Sequence, residues 1–468
     1  MPDRNKYLLK NTVVFAVGNL ATKLISFFLI PIYTNTLTAS EYGTVDLVAT
    51  ISTIAVPILT LNISESVMRF NLDKGVDRNK ITKIGIVILL IGMLVGIVII
   101  PASNLFDQIA DFASLIYFYV LFSAASQVFL CDLRGKEMLV QYSIGNVLNT
   151  FLIAAFNILF LLVFKLGTRG YLLAYTLAFG IVTVYALFVG KGYKAIKAVF
   201  DFKKAWEMLR YSLALIPNSF MWWIMNSSDH IMVTSMIGVA ANGIYAISYK
   251  LPTLISTITQ IFTQAWSYSA IREEGAIDEV EYSNRVFRTM IAVVMLIGIC
   301  MMAISKPFLR KYVSQEYYSA WQYTPFLTIG CVYLTLASFI ATSYTVHKDS
   351  LGFLLSGLFG ALLNILLNSL LIPAIQIYGA ALATCVSYIA VFVFRAFHTR
   401  KYLRYNVMTK EFVLGTAMLF ISGALMFVDH AIAQAAQIAI AFFVIVSFRG
   451  TWFPIIGKLF KIRKGANQ

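Results

Sequence analysis

Long apolar stretches separated by short polar segments run through the whole chain. Each stretch is about as long as the roughly 20 residues that an α-helix needs to cross the hydrocarbon core of a bilayer. The pattern predicts an all-α, polytopic membrane protein with about fourteen transmembrane helices, at residues 12–37, 43–68, 81–101, 112–133, 139–164, 170–190, 207–236, 242–270, 286–306, 322–346, 352–373, 379–399, 411–428 and 431–448.

Composition supports this interpretation and narrows the function. The 468 residues are 59% hydrophobic and only 13% charged, whereas a soluble globular chain carries about 25% charged residues. No polar segment is longer than about 20 residues, and no Gly-Lys pair is followed by Ser or Thr as in an ATPase phosphate loop. The spacing of the four cysteines suggests neither a metal site nor a disulfide framework. We therefore expect no enzyme activity, no cofactor and no metal.

The basic residues alternate between the two sides of the predicted topology. About 30 of the 37 lysines and arginines fall on one side, which the positive-inside rule assigns to the cytoplasm. This distribution predicts an inner-membrane protein with both termini in the cytoplasm. It argues against nucleic-acid binding, because the net charge of +15 is not gathered in a separate basic domain. About five basic residues are predicted outside: Lys165, Arg169, Lys306, Arg310 and Lys311.

Two segments about 200 residues apart are similar. TLTASEYGTVDLVATI (36–51) aligns with MIGVAANGIYAISYKL (236–251), so that Gly43 matches Gly243. A second match, Gly170 with Gly379, opens the sixth and twelfth spans. Coincidence among glycine-rich apolar turns is the alternative. A parallel repeat of six spans predicts pseudo-symmetric lobes with a substrate site at their interface. The predicted parts are an N-terminal six-helix lobe (1–190), a basic cytoplasmic linker (191–206), a C-terminal six-helix lobe (207–400), and a helix pair with a basic tail (401–468).

Ionisable residues inside the spans are the candidate functional groups, because each costs roughly 2.5–3.5 kcal/mol to insert. Lys23 lies near the middle of the first span and is predicted to face a wet cavity between the halves, and a snorkelling lysine or one paired between helices is the alternative. Asp229 and Lys250 lie at similar depth in consecutive antiparallel spans. We predict a pair of these two facing a cavity, and a purely structural pair is the alternative.

Weaker candidates lie closer to the predicted helix ends. Glu65 and Arg69 are spaced i, i+4, which allows them to pair on a helix. Asp46 and His230 are further candidates for charge pairing or coupling. For each of them an interfacial position with no specific function is the alternative.

Prolines occur in the same two spans of each predicted half. They are Pro31, Pro57, Pro217 and Pro252. Proline removes a backbone hydrogen bond and kinks a helix, and kinked helices that line a cavity can bend as it opens and closes. Proline is common in membrane spans in any case.

The opening segment FAVGNLATKLISFFLIPIYTNTLTASEYG (15–43) resembles the start of bacterial oligosaccharide flippases. These are the Wzx-type transporters of O-antigen or capsule repeat units, within the multidrug/oligosaccharidyl-lipid/polysaccharide (MOP) exporter superfamily. The matching features are Gly18, Pro-Ile-Tyr in span one, and the Leu-x-x-x-x-Tyr-Gly turn into span two. The stretch from Asp229 to Leu251 looks like the second-half signature of the superfamily.

The resemblance implies a V-shaped pair of lobes, alternating access, and an undecaprenyl-pyrophosphate-linked oligosaccharide as substrate. It also implies a cationic cavity, for which Lys23, Lys250 and Arg69 are the matching residues. Membrane lipids and polysaccharide polymerase or assembly proteins are the expected partners, and coupling to H⁺ or Na⁺ is left open. A drug or metabolite exporter of the MATE type and a membrane polysaccharide polymerase or ligase are the alternatives.

Overall fold

The computed structural model describes residues 22, 25–73, 75–99 and 110–451. Regular structure within these ranges is helical, without strands. Nine helices in this part of the chain are long and apolar enough to cross a membrane. The prediction of an all-α polytopic membrane protein is confirmed. Residues 12–21, 23 and 24 of the first predicted span, and with them Lys23, lie outside the described residues.

Two compact units make up the chain. Unit 1 comprises Met1–Thr234 and Gly238–Gly243, and unit 2 comprises Ser235–Ile237 and Ile244–Gln468. The helices that begin in unit 1 are α1 (Ile30–Thr36), α2 (Ala39–Leu59), α3 (Ile63–Asn71), α4 (Arg78–Ile99), α5 (Ala113–Gly135), α6 (Leu139–Asn157, continued as a π-helix to Val163), α7 (Gly167–Val189), α8 (Phe202–Met236) and α9 (Val239–Lys250).

Unit 2 contains the end of α9 and the remaining helices. They are α10 (Pro252–Arg272), α11 (Glu279–Tyr312), α12 (Thr324–Ile340), α13 (Thr342–Val346), α14 (Ser350–Ile375), α15 (Ile377–His398), α16 (Lys410–Leu425) and α17 (Ala431–Ser447). Short 3₁₀ turns occur at Gly192–Lys197, Gln315–Gln322 and Thr399–Lys401.

Helix α8 packs within unit 1, although the repeat assigns its sequence to the second half. The Ser66 hydroxyl donates a 2.6 Å hydrogen bond to the Met208 carbonyl. The Trp223 indole N–H donates to the Thr50 carbonyl over 2.9 Å. These bonds join α8 to α2 and α3, and the contacts place Met1–Thr234 in one unit.

The predicted second span is two helices in the structure. Helix α2 begins with a capping box, in which the Thr38 side chain accepts from Glu41 N and the Glu41 side chain accepts from Thr38 N. Pro57 lies in its last turn, and Leu61 and Asn62 then adopt left-handed conformations with φ of 50° and 55°. Asparagine tolerates this conformation because its short polar side chain bonds locally. The chain therefore changes direction before α3 begins at Ile63.

One ionic network ties the ends of four unit 1 helices together. The buried Asp132 carboxylate accepts hydrogen bonds from Lys136 Nζ (2.6 Å), Thr82 Oγ1 (2.6 Å) and Asn71 Nδ2 (2.9 Å). Lys136 Nζ also donates to the Gly190 carbonyl over 2.8 Å. A buried charge is tolerable when it is paired and hydrogen-bonded in this way. The network therefore stabilises the packing of α3, α4, α5 and α7.

Candidate functional site

Helices α2 and α9 approach each other closely at the two glycines that the repeat pairs. A Cβ atom on Gly43 would lie 1.9 Å from the Val239 carbonyl oxygen, and one on Gly243 would lie 2.1 Å from the Ala39 carbonyl oxygen. The contact is reciprocal, because residues 39 and 239 are related by the same offset of 200 as the glycines. Only residues without a side chain allow the two backbones to come this close.

A polar network lies beside this crossing. Asp46 Oδ2 is 2.8 Å from His230 Nδ1, and the buried Asn242 amide donates to Asp46 Oδ2 and to the Gly43 carbonyl, each over 3.2 Å. Asn242 Oδ1 is 3.0 Å from His230 Nδ1. Since both oxygens near Nδ1 are acceptors, Nδ1 must carry a hydrogen. The network fixes α2, α8 and α9 relative to one another.

The structure thus brings together two residues that the sequence named separately, Asp46 and His230. Asp229, beside His230, is buried, and its Oδ1 accepts from the His230 backbone N–H over 3.1 Å. Sequence reasoning did not select Asn242. The available signal was its position directly before Gly243 in the repeated segment.

Unit 1 also contains a cavity of about 690 Å³ that is lined by both polar and apolar side chains. Its walls come from α2, α3, α5, α7 and α8. The polar side chains that line it are Ser52, Thr53, Asn62, Glu65, Tyr119, Ser123, Gln127 and Ser219. Among the lining residues described, Glu65 is the one with a charged side chain. The break in the helix between Pro57 and Ile63 lies at this cavity, which Pro57 and Asn62 also line. The change of chain direction at the break places Glu65 in the cavity wall.

The expected pair of Glu65 and Arg69 does not form. Arg69 is exposed and donates instead to Asp73 Oδ1 over 2.6 Å. Both carboxylates are one helical turn from Arg69, but Glu65 faces the cavity while Asp73 lies at the exposed helix end. The prediction was wrong in this respect because spacing alone does not distinguish the two faces.

The other candidate residues lie at several places. Asp229 belongs to unit 1 and Lys250 to unit 2, so their pairing stays a prediction. Lys250 is the half-buried last residue of α9, directly before the interruption at Leu251. Among the described residues, no group of three or more His, Cys, Asp or Glu side chains is placed to hold a metal ion.

The prolines occupy different positions relative to the helix ends. Pro31 lies in the first turn of α1, and Pro252 begins α10. Pro57 precedes the break after α2, whereas α8 continues through Pro217. Pro31 and Pro252 therefore lie in the first turn of a helix, where the missing N–H costs least. Pro57 and Pro217 lie inside their helices, and each removes one backbone hydrogen bond.

Interrupted helices and a polar cavity inside a helical membrane protein are typical of transporters. The fold is that of the MOP exporters. It is similar to the lipid II flippase MurJ in an inward closed conformation, with a TM-score of 0.68 and 13% identity, covering 96% of this chain and 99% of that one. It is also similar to an inward-facing multidrug resistance MATE family transporter, with a TM-score of 0.64 and 11% identity, covering 87% and 99%.

The chain belongs to the family of polysaccharide biosynthesis proteins, whose model matches residues 8–268, more than half of its length. A relative is the membrane protein MJ1375 of Methanocaldococcus jannaschii, which is 24% identical over 418 residues, covering 83% of this chain and 97% of that protein. The resemblance to the superfamily that the motifs indicate is confirmed at the level of family and fold.

Proposed function

We propose that this protein moves an undecaprenyl-pyrophosphate-linked oligosaccharide repeat unit from the cytoplasmic to the external leaflet by alternating access. The observation that carries the proposal is the lining of the unit 1 cavity. Hydroxyl and amide groups surround a volume within the roughly 300–1,000 Å³ that is usual for ligand sites. Such groups hydrogen-bond sugar hydroxyls.

The pyrophosphate needs cationic partners, and Lys23 and Lys250 are the ones we propose. Opposite charges stabilise an anion that the hydrocarbon would otherwise reject. Arg69 is the third candidate, but its bond to Asp73 leaves it less suited to this role. The lipid tail would remain in the bilayer while the sugar occupies the polar cavity. Assembly proteins of the polysaccharide pathway would receive the product on the external side of the inner membrane.

Complementation separates this function from the alternatives. We expect expression of the chain to restore surface polysaccharide in a bacterial strain that lacks its oligosaccharide flippase, without raising resistance to cationic drugs. Drug resistance without restored polysaccharide would assign the MATE-type activity instead. Polymerised glycan made by the purified protein would assign a polymerase. Immunoblotting of membranes controls for expression.

Glu65 is our candidate for coupling transport to H⁺ or Na⁺, because Asp46 and Asp229 are already engaged in hydrogen bonds. We expect Glu65→Gln to reduce transport by about tenfold, since the loss of one charged hydrogen-bonding group costs roughly 1.5–3 kcal/mol. The measurement is transport in proteoliposomes under imposed H⁺ or Na⁺ gradients. The matched control is Glu137→Gln in an exposed turn of the same unit, which should leave transport unchanged. A gradient response in Glu65→Gln equal to that of the parent would assign coupling elsewhere.

A further inference from the structure

A second cavity, in unit 2, has a basic lining. It encloses about 580 Å³ between the C-terminal end of α11, the segment that joins α16 to α17, and the first turns of α17. Lys306, Arg310 and Lys311 line it together with one acidic residue, Asp429, and with Gln434. Neither the polysaccharide family nor the proposed sugar cavity accounts for this site, which belongs to a different unit.

The position of these cations is unusual for a membrane protein. Lysine and arginine are concentrated on the cytoplasmic side of membrane proteins, and only about five of the 37 in this chain are predicted outside. Three of those five line this one cavity. The convergence is not a consequence of the general charge bias, which would deplete basic residues here, and an anionic ligand would account for it.

One of the three cations already has partners. Lys306 Nζ forms an ion pair with Asp429, donates to the Met426 carbonyl over 3.3 Å, and lies 4.0 Å from the centre of the Trp321 ring. Arg310 and Lys311 are exposed, and neither forms an ion pair within the described ranges. The cavity therefore retains two positive charges for a ligand.

Helix α17 adds hydrogen-bond donors to the same space. Its first residue, Ala431, and Gln434 one turn later line the cavity. The start of a helix presents free N–H groups and a partial positive charge, which favour anions. His430 accepts two of these N–H groups, that of Ile432 at its ring Nδ1 and that of Ala433 at its backbone carbonyl. Arginine, lysine and a helix N-terminus together form a typical environment for phosphate.

The surroundings favour a lipid phosphate over a free one. Exposed apolar side chains follow the cavity along α17, with Ile432 at 71%, Ile438 at 62% and Phe442 at 68% exposure. In a bilayer these side chains contact hydrocarbon tails. A lipid with its phosphate in the cavity would place its tail along this surface.

We propose that this cavity binds the phosphate group of a membrane lipid, at the predicted external face of unit 2. The ligand class is a lipid phosphodiester or pyrophosphate, and Arg310 and Lys311 are the binding residues. The inference goes beyond the proposed transport function and does not depend on it, because binding is measured without transport.

Native mass spectrometry of the purified full-length protein tests the site with four probes: phosphatidylglycerol, undecaprenyl pyrophosphate, diacylglycerol and inorganic pyrophosphate. The double variant Arg310→Gln/Lys311→Gln should bind one or both lipid phosphates at least about tenfold more weakly, because two charged contacts are lost. Lys165→Gln/Arg169→Gln is the matched control, since it removes two exposed cations from the same predicted face in unit 1. It should change binding less than about twofold.

The four probes distinguish the possible sources of the phosphate group. Weakening with both lipids supports a general lipid-phosphate site, and weakening with undecaprenyl pyrophosphate alone supports a site for the carrier lipid. Retained binding by Arg310→Lys/Lys311→Arg supports a charge effect rather than misfolding. Equal binding by the double variant and the parent, an equal loss in the control, or diacylglycerol binding as strong as that of phosphatidylglycerol would overturn the proposal. Inorganic pyrophosphate binding as tightly as both lipids would overturn the lipid assignment.

Discussion

Alanine in place of Gly43 should lower the free energy of unfolding by about 1–3 kcal/mol, the usual cost of overpacking, and should strongly impair transport. The added Cβ would meet the Val239 carbonyl oxygen at 1.9 Å. No side-chain rotation relieves a clash with backbone, so the two helices must separate. Separation would also stretch the bonds from Asn242 to Gly43 and Asp46. Thermal unfolding in detergent and complementation are the measurements.

The matched control for this prediction is Gly357→Ala, in the interior of α14. A Cβ atom there would meet nothing within 4 Å, so the change should be neutral or stabilising by up to about 1 kcal/mol. Gly243→Ala should behave like Gly43→Ala, and the double variant should be less than additive, because both changes open the same contact. An unfolding midpoint for Gly43→Ala equal to that of Gly357→Ala would contradict the close crossing.

Lys23→Ala is expected to abolish transport while leaving insertion into the membrane intact. The sequence predicts Lys23 in the middle of a span, where a lysine is costly to insert, and we attribute its presence to the pyrophosphate of the substrate. Lys23→Arg keeps the positive charge and should retain part of the activity. Surface polysaccharide in the flippase-deficient strain is the readout, with membrane immunoblots to measure insertion.

A basic residue of the linker provides the control for Lys23. Lys191→Ala removes an exposed lysine that is predicted to lie in the cytoplasm, and transport should be unchanged. Lys250→Ala should reduce transport as well, because Lys250 is the second proposed headgroup residue. Parental polysaccharide output from Lys23→Ala would remove the basis of the headgroup assignment.

The apolar stretches were sufficient to predict most helices, because the length of a span is set by the bilayer. The fifth span was predicted at 139–164, and the structure has helix from Leu139 to Val163. The ends of helices that begin or end in charged turns were predicted less accurately. Helix α11 runs from Glu279 to Tyr312, beyond the predicted 286–306, because polar turns at both ends continue the helix without contributing hydrophobicity.

The sequence does not show which residues far apart in the chain contact each other in the site. Asp46 and His230 were each visible as ionisable residues near helix ends, but their 2.8 Å contact depends on how α2 and α8 pack. The break at Leu61 and Asn62 was also missed, because hydrophobic periodicity does not report left-handed residues. The repeat did place Gly43 and Gly243 in equivalent positions, although it did not show that they touch.

Arg395 illustrates a further limit. In the sequence it resembles the other basic residues near the end of its span, such as Arg400. In the structure it is buried and donates to Ser356 Oγ over 3.0 Å and to the Ala337 carbonyl over 3.2 Å. A solvated loop residue and a buried helix-joining one differ only in which neighbours the fold provides.

The reciprocal glycine crossing also bears on the origin of the chain. Residue 39 meets residue 243 and residue 239 meets residue 43, which is the form of an isologous contact between two identical subunits. An ancestor of half the length would have made this contact as a homodimer, and one codon would have supplied both glycines. In a chain that arose by duplication and fusion of such an ancestor, the two codons would be independent, and polar residues such as Asp46 and Asn242 could differ from their counterparts Ala246 and Tyr42 on either side of a shared backbone contact.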